Sequence, residues 1–142
     1  MAAALTPGEM IRLWFEEVWN QRAADRIPLY LAAHAVIHAT DEEGGDTQGP
    51  EGFRRFQERM LAAFPDIQFT ILDVIEDDTR AVARWSATLT HCGIGMGEPT
   101  GGRITVTGMS MVRMENGIGV EGWNEWDRLS LALACRHVVR AA

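Results

Sequence analysis

Arg80-Ala81-Val82-Ala83-Arg84-Trp85-Ser86-Ala87-Thr88-Leu89-Thr90-His91 alternates side chains with the period of a half-buried β-strand. Ala81, Ala83, Trp85, Ala87, Leu89 and His91 fall on one face; Val82, Arg84, Ser86, Thr88 and Thr90 fall on the other. The segment before it, Ile67 to Glu76, is also rich in strand formers and ends at Asp77-Asp78-Thr79, so the pair predicts a hairpin. Beyond it, Cys92 to Gly102 holds five glycines and a proline and predicts a loop. Arg103 to Met114 then predicts a strand, Glu115-Asn116-Gly117 a tight turn, and Ile118 to Trp126 the partner strand. Leu129 to Val139 predicts a short terminal helix.

The half that precedes this meander reads as helix. Thr6-Pro7-Gly8-Glu9 is a capping box with proline at the first helical position, opening a helix that runs to about Gln21. Its Met10, Ile11, Trp14, Phe15, Val18 and Trp19 form one wide apolar stripe, with Arg12, Glu16 and Glu17 opposite. A second helix is predicted from Asp25 to Ala33, with Pro28 in its first turn, before an extended segment at Val36-Ile37. Thr40 to Gln48 is an acidic, glycine-bearing loop, and Gly49-Pro50-Glu51 opens a third helix that carries Phe53, Phe56, Met60, Leu61 and Phe64 and stops at Pro65. Helices first and an antiparallel meander afterwards define an α+β domain, residues 1–142, with helices covering one face of the sheet.

Composition narrows the function. The chain is 46% apolar and 23% charged, which excludes disordered, collagen-like and coiled-coil readings. A formal charge of −7 opposes binding to nucleic acid or to anionic membrane surfaces. All 13 basic residues counted are arginine, so lysine Schiff-base chemistry and a P-loop lysine are both excluded. Cys92 and Cys135 are too few for a disulfide scaffold and too far apart for a CxxC site. The N-terminal residues lack a basic start and an apolar core of signal-peptide length, and no run approaches a membrane span, which places the protein in the cytoplasm.

Chemistry concentrates at a few positions. The small face of 80–91 leaves room beneath the helices, and a histidine beside such room suits a pocket; alternatively His91 is a hydrogen-bonded histidine at a strand end. In the last strand Glu121, Trp123, Glu125 and Asp127 share one parity, and Val120, Gly122, Asn124 and Trp126 the other. Asp127, set among tryptophans, suits a general acid/base of raised pKa; the competing reading is a solvated helix N-cap. His34 and His38 share a parity but lack a third metal ligand, and Gly93, Gly95 and Gly97 lack the strand-turn-helix setting of a nucleotide loop. Apolar residues on both parities of the last two strands, namely Val106, Met109, Met111, Val112, Trp123 and Trp126, predict self-association through the sheet face that the helices leave bare.

Four stretches together resemble the SnoaL-like polyketide cyclases of the NTF2-like superfamily: Gly49-Pro50-Glu51-Gly52-Phe53 leading to Ala62-Ala63-Phe64-Pro65-Asp66, Ala83-Arg84-Trp85 leading to Thr90-His91, Pro99 to Arg103 leading to Val106-Thr107-Gly108-Met109, and Trp123-Asn124-Glu125-Trp126-Asp127. The resemblance implies a cone-shaped α+β barrel with three N-terminal helices on the concave face of a curved antiparallel sheet, usually a homodimer or higher homo-oligomer. It implies aldol-type ring closure of an apolar, carbonyl-bearing small molecule without metal or organic cofactor. Asp127 matches the family's acid/base aspartate, and His38 and His91 look like its pocket histidines. Trp14, Tyr30, His34, Trp85, Ser110, Trp123 and Asn124 are then expected to bind substrate. Ala39 and Ser110 stand where the family commonly has acids. Isomerisation or dehydration could use the same apparatus. Epoxide hydrolysis would need Arg84 or Arg113 held between carboxylates, and a non-catalytic binding protein would leave Asp127 a cap.

Overall fold

The computed structural model describes residues 4–40, 45–91 and 98–135. The chain order is α1 (Pro7–Leu13), a π-helix (Trp14–Asn20), a 3₁₀ turn (Ala24–Arg26), α2 (Ile27–Tyr30), β1 (Leu31–Ile37), β2 (Thr47–Gln48), α3 (Gly49–Ala63), β3 (Gln68–Glu76), β4 (Arg80–Thr90), β5 (Arg103–Glu115), β6 (Ile118–Trp126) and α4 (Arg128–Ala134). The six strands form one curved sheet in the order β2-β1-β6-β5-β4-β3. It stays open, with β2 and β3 as edges, so the expected barrel closure is corrected to an open sheet roofed by helices. Among the described residues no helix is long and apolar enough to cross a membrane.

Local chemistry accounts for most boundaries. The Thr6 capping box forms as expected: Glu9 N–H donates to Thr6 Oγ1 at 3.1 Å and Thr6 N–H donates to Glu9 Oε2 at 3.0 Å. Asn116 (φ 52°) and Gly117 (φ 80°) both take the left-handed region that a tight two-residue hairpin turn requires. The β4 alternation holds throughout, with Ala81, Ala83, Trp85, Ala87 and Leu89 buried.

Three expectations change. The second helix ends at Tyr30, and Leu31 to Ala33, expected as helix, open β1, which runs parallel to β6 with Leu31 opposite Gly119. Gly119 allows this approach, because a Cβ there would meet the Tyr30 carbonyl oxygen at 2.9 Å; pairing with β6 overrides a helix-favouring Leu-Ala-Ala run. The sheet is therefore antiparallel except for this pair. The first helix changes type at Trp14, and its last seven residues are π-helical. The terminal helix is described to Cys135; the rest of the 129–139 expectation, the acidic stretch 41–43 and the glycine-bearing stretch 92–97 with Cys92 lie outside the described residues.

The buried side chains form one cluster between the helices and the inner face of β4, β5 and β6. Gly108 is a contact point: a Cβ on it would lie 2.5 Å from Trp85 Cζ2, 2.7 Å from Trp126 Cβ and 2.8 Å from the Glu125 carbonyl oxygen. Gly108→Ala is expected to destabilise the fold by about 1–3 kcal/mol through overpacking, read as a lower urea midpoint. Gly102→Ala, whose Cβ meets only Thr100 Oγ1 at 3.4 Å, is the matched control and is expected to change stability by less than about 0.5 kcal/mol.

Candidate active site

The inner face holds an aromatic-lined cleft of about 540 Å³, a figure that includes the open solvent at its mouth. The π-helix supplies Trp14, Phe15 and Trp19; α3 supplies Phe53, Phe56 and Met60; the sheet supplies Phe69, Trp85, Ala87, Leu89, Val106, Ser110, Asn124 and Trp126. Ala87 contributes the room expected of a small residue, whereas Ala81 and Ala83 are buried away from the cleft on a strand packed by α1.

The last carbonyls of the π-helix lie beyond its own hydrogen-bonding turns, and side chains meet them. Gln57, 1% exposed, donates Nε2–H to the Val18 carbonyl at 2.5 Å. Arg22, itself at φ 60°, donates to the Trp19 carbonyl at 2.5 Å and to the Pro65 carbonyl at 2.9 Å. Asn20 donates to the Phe69 carbonyl at 3.0 Å and accepts the Phe69 N–H at 2.8 Å, fastening the helix end to β3. Phe69 in turn stands edge-on to Trp85 with ring centroids 5.0 Å apart, closing the aromatic wall.

The polar groups of the cleft form a directed chain. Trp85 Nε1–H donates to Ser110 Oγ at 3.0 Å, the Ser110 hydroxyl donates to Asn124 Oδ1 at 2.9 Å, and Asn124 Nδ2 donates to the His38 carbonyl oxygen at 3.2 Å. The direction is forced at both ends, because an indole nitrogen only donates and a carbonyl oxygen only accepts. Each donor is spent in turn except one: the second Nδ2 hydrogen of Asn124 has no partner among the described residues. Asn124, which lines the cleft, therefore keeps one donor N–H unspent.

The expected site residues divide by face. Trp14, Trp85, Ser110 and Asn124 line the cleft. Asp127 and His91, expected to share it, do not, and they stand on opposite parities of the sheet, which overturns the pocket expected from sequence. Asp127 is exposed and caps α4, accepting Ser130 N–H at 3.0 Å and the Ser130 hydroxyl at 2.7 Å. Those bonds, the hydroxyl first and the amide second, hold its carboxyl below the usual aspartate value, the reverse of the expected rise. His91, 1% exposed, directly follows β4, with Nδ1 accepting Thr100 N–H at 3.2 Å and its ring beside Phe64. Tyr30 is buried edge-on to Trp14, with its hydroxyl donating to the Glu17 carboxylate, and His34 is exposed on β1. Trp123 borders a smaller adjoining void, and its ring stacks on His38 across the outer face at a centroid distance of 5.4 Å.

Neither arginine considered for epoxide chemistry enters the cleft. Arg84 pairs with Asp73 at 2.5 Å, and Arg113 sits between Glu115 (2.6 Å) and Glu121 (3.3 Å), all on the outer face. Of the residues behind the self-association expectation, Val106 and Trp126 line the cleft and Val112 is buried on the same inner face, while Met109 is half-exposed outside. The two-sided apolarity of these strands thus comes in part from the cleft itself.

A SnoaL-like polyketide cyclase family model matches residues 9–134. The chain belongs to the SnoaL-like polyketide cyclase family. Among solved structures it is similar to IdmH from Streptomyces antibioticus, assigned as a polyketide cyclase, at 29% identity and TM-score 0.80, over 94% of this chain and 100% of that one. It is similar in fold to a protein from Acidithiobacillus ferrooxidans assigned as a polyketide cyclase, at 23% identity and TM-score 0.79, over 98% of this chain and 100% of that one. AclR from Streptomyces galilaeus, assigned as a hydroxylase, shares the fold at 24% identity and TM-score 0.76, over 96% of this chain and 91% of that one. No curated protein gives a significant match.

The capping geometry sets a test for Asp127. Asparagine caps about as well as aspartate, so Asp127→Asn is expected to keep the thermal midpoint and any turnover of the wild type, whereas Asp127→Ala lowers the midpoint. A loss of turnover in a folded Asp127→Asn would return the aspartate to the chemistry.

Proposed function

We propose that the protein is a cyclase-like enzyme that closes a ring in an apolar, carbonyl-bearing small molecule, with Asn124 polarising the carbonyl that is attacked. The single observation behind this reading is the unspent Asn124 Nδ2–H at the end of the Trp85–Ser110–Asn124 chain, inside a cleft otherwise lined by aromatic and aliphatic groups. Family membership supports a cyclase-like role.

The chemistry is an intramolecular aldol closure. A methylene flanked by two carbonyls enolises readily in water, and the cleft binds that enol folded against its aromatic walls. The enol carbon forms the new C–C bond to a second carbonyl carbon, the C=O π bond breaks, and charge grows on its oxygen. Asn124 donates to that oxygen, where a preorganised donor in a dry site acts most strongly. The enol proton ends on the new hydroxyl, so atoms and charge balance without a proton gained or lost. Folding of the chain by the aromatic walls supplies the orientation term.

Incubation with a synthetic poly-β-ketone bearing a hydrophobic tail, followed by chromatography and NMR of the product, tests the reading. The wild type is expected to convert it to a cyclised isomer, and Asn124→Leu to lose about 10²–10³-fold in kcat. Ser110→Ala leaves the Trp85 N–H without its acceptor and is expected to cost about 1–3 kcal/mol of stability as well as rate. Tight binding without turnover would instead mark a small-molecule binding protein.

A further inference from the structure

His38 holds Asn124 from the opposite side of the sheet. Its main chain extends the β1–β6 pairing by one residue: His38 N–H donates to the Gly122 carbonyl at 2.8 Å, and the His38 carbonyl accepts from Asn124 Nδ2. The orientation of the Asn124 amide inside the cleft thus depends on where one peptide group of the following turn sits. That turn is strained, because Ala39 has φ 62°, a region alanine adopts only when its surroundings hold it.

The His38 ring lies on the outer face in an ionic clamp. Nε2 is 2.7 Å from Glu121 Oε2 on β6, Nδ1 is 2.9 Å from Asp46 Oδ1 just before β2, and the ring stacks on Trp123 at 28°. A ring nitrogen this close to a carboxylate must donate, and both nitrogens are so placed, so the assembled clamp contains the imidazolium. Arg113 on β5 lies behind Glu121 and reaches Glu115 as well. Two further arginines meet the turn at its carbonyls: Arg128 of α4 at Ala39 and Arg59 of α3 at Thr40, each at 2.9 Å.

We propose that His38 is a positioning residue: clamped between Asp46 and Glu121 on the outer face, it fixes the main-chain carbonyl that orients the Asn124 amide within the cleft. Its importance for turnover rests on the proposed role of Asn124, while the coupling itself belongs to the unliganded protein. Loss of the ring proton turns one nitrogen lone pair toward a carboxylate and opens that contact, which frees the strained turn and the carbonyl with it.

The direction with pH follows from the partners. The hydrogen bond to Glu121, and then Asp46, raises the His38 pKa above its ordinary 6.5. The bond to His38, and then Arg113, lowers that of Glu121 below its ordinary 4.5. The histidine contribution is complete below the ordinary histidine value and is lost as pH rises through the raised one. The Glu121 contribution is present above the ordinary glutamate value and is lost as pH falls through the lowered one. The clamp is therefore intact between the ordinary glutamate and ordinary histidine values and opens as pH rises through the raised histidine value.

Two-dimensional NMR of ¹⁵N,¹³C-labelled, unliganded protein tests this without any substrate. The Asn124 side-chain amide pair is expected to shift with pH at the midpoint at which His38 Cε1–H titrates, and Asp46→Asn is expected to move both midpoints downward together. An Asn124 amide that ignores the His38 ionisation, or a midpoint unmoved in Asp46→Asn, overturns the proposal. The catalytic reading fails separately: coupled midpoints with full turnover in Asn124→Leu would remove Asn124 from the chemistry and leave the positioning intact. With both readings correct, kcat falls as pH rises through the His38 midpoint, and it does so at lower pH in Asp46→Asn.

Discussion

A buried indole N–H must find an acceptor, and the Trp85 N–H finds it in Ser110. Much of the cleft follows from that requirement. The ring can lie across β5 only because Gly108 opposite it has no side chain. Once placed, it forms one wall against Phe69 and Phe15 and commits the Ser110 hydroxyl to pointing its hydrogen at Asn124. Each bond in the chain sets the polarity of the next, and neighbouring bonds reinforce one another in a low-dielectric setting. The amide is thus oriented before any ligand arrives.

Most of the fold was legible in the residues. Alternation in β4, the Asn116-Gly117 turn, the Thr6 capping box and the Gly49-Pro50 start of α3 are local devices whose chemistry does not depend on the rest of the chain. β1 was not legible in the same way, because Leu31-Ala32-Ala33 favours helix and becomes strand only through a parallel partner almost ninety residues away. The π-helix left no signal of its own. Ile11, Trp14, Phe15, Val18 and Trp19 have the spacing of an ordinary amphipathic α-helix, and the widening at Trp14 does not show in that pattern.

The site was legible in part, and the reason is geometric. Parity in β6 separates Asn124 from Asp127, but of the two only Asp127 carries the titratable group that marks an acid/base residue in sequence. A capping aspartate and an acid/base aspartate look alike in sequence, and the difference lies in Ser130, which occupies both carboxylate oxygens. His38 combines two roles that sequence cannot tell apart, since its ring and its carbonyl point to opposite sides of the sheet.

The open sheet has a consequence for life at high concentration. A barrel has no edge, whereas β3 presents one, and its Leu72 and Ile75 are exposed. Such a strand can template pairing with a neighbouring molecule and seed aggregation. Here the template is spoiled along its length. Asn20 occupies both the amide and the carbonyl of Phe69 with its side chain, imitating a further strand for one residue. The register shift between Ile71 and Asp73 bends the middle, and Glu76 turns its carboxylate inward to the Gly8 amide at the far end. The same asparagine that anchors the aromatic helix over the cleft therefore also occupies one pairing position of the open edge.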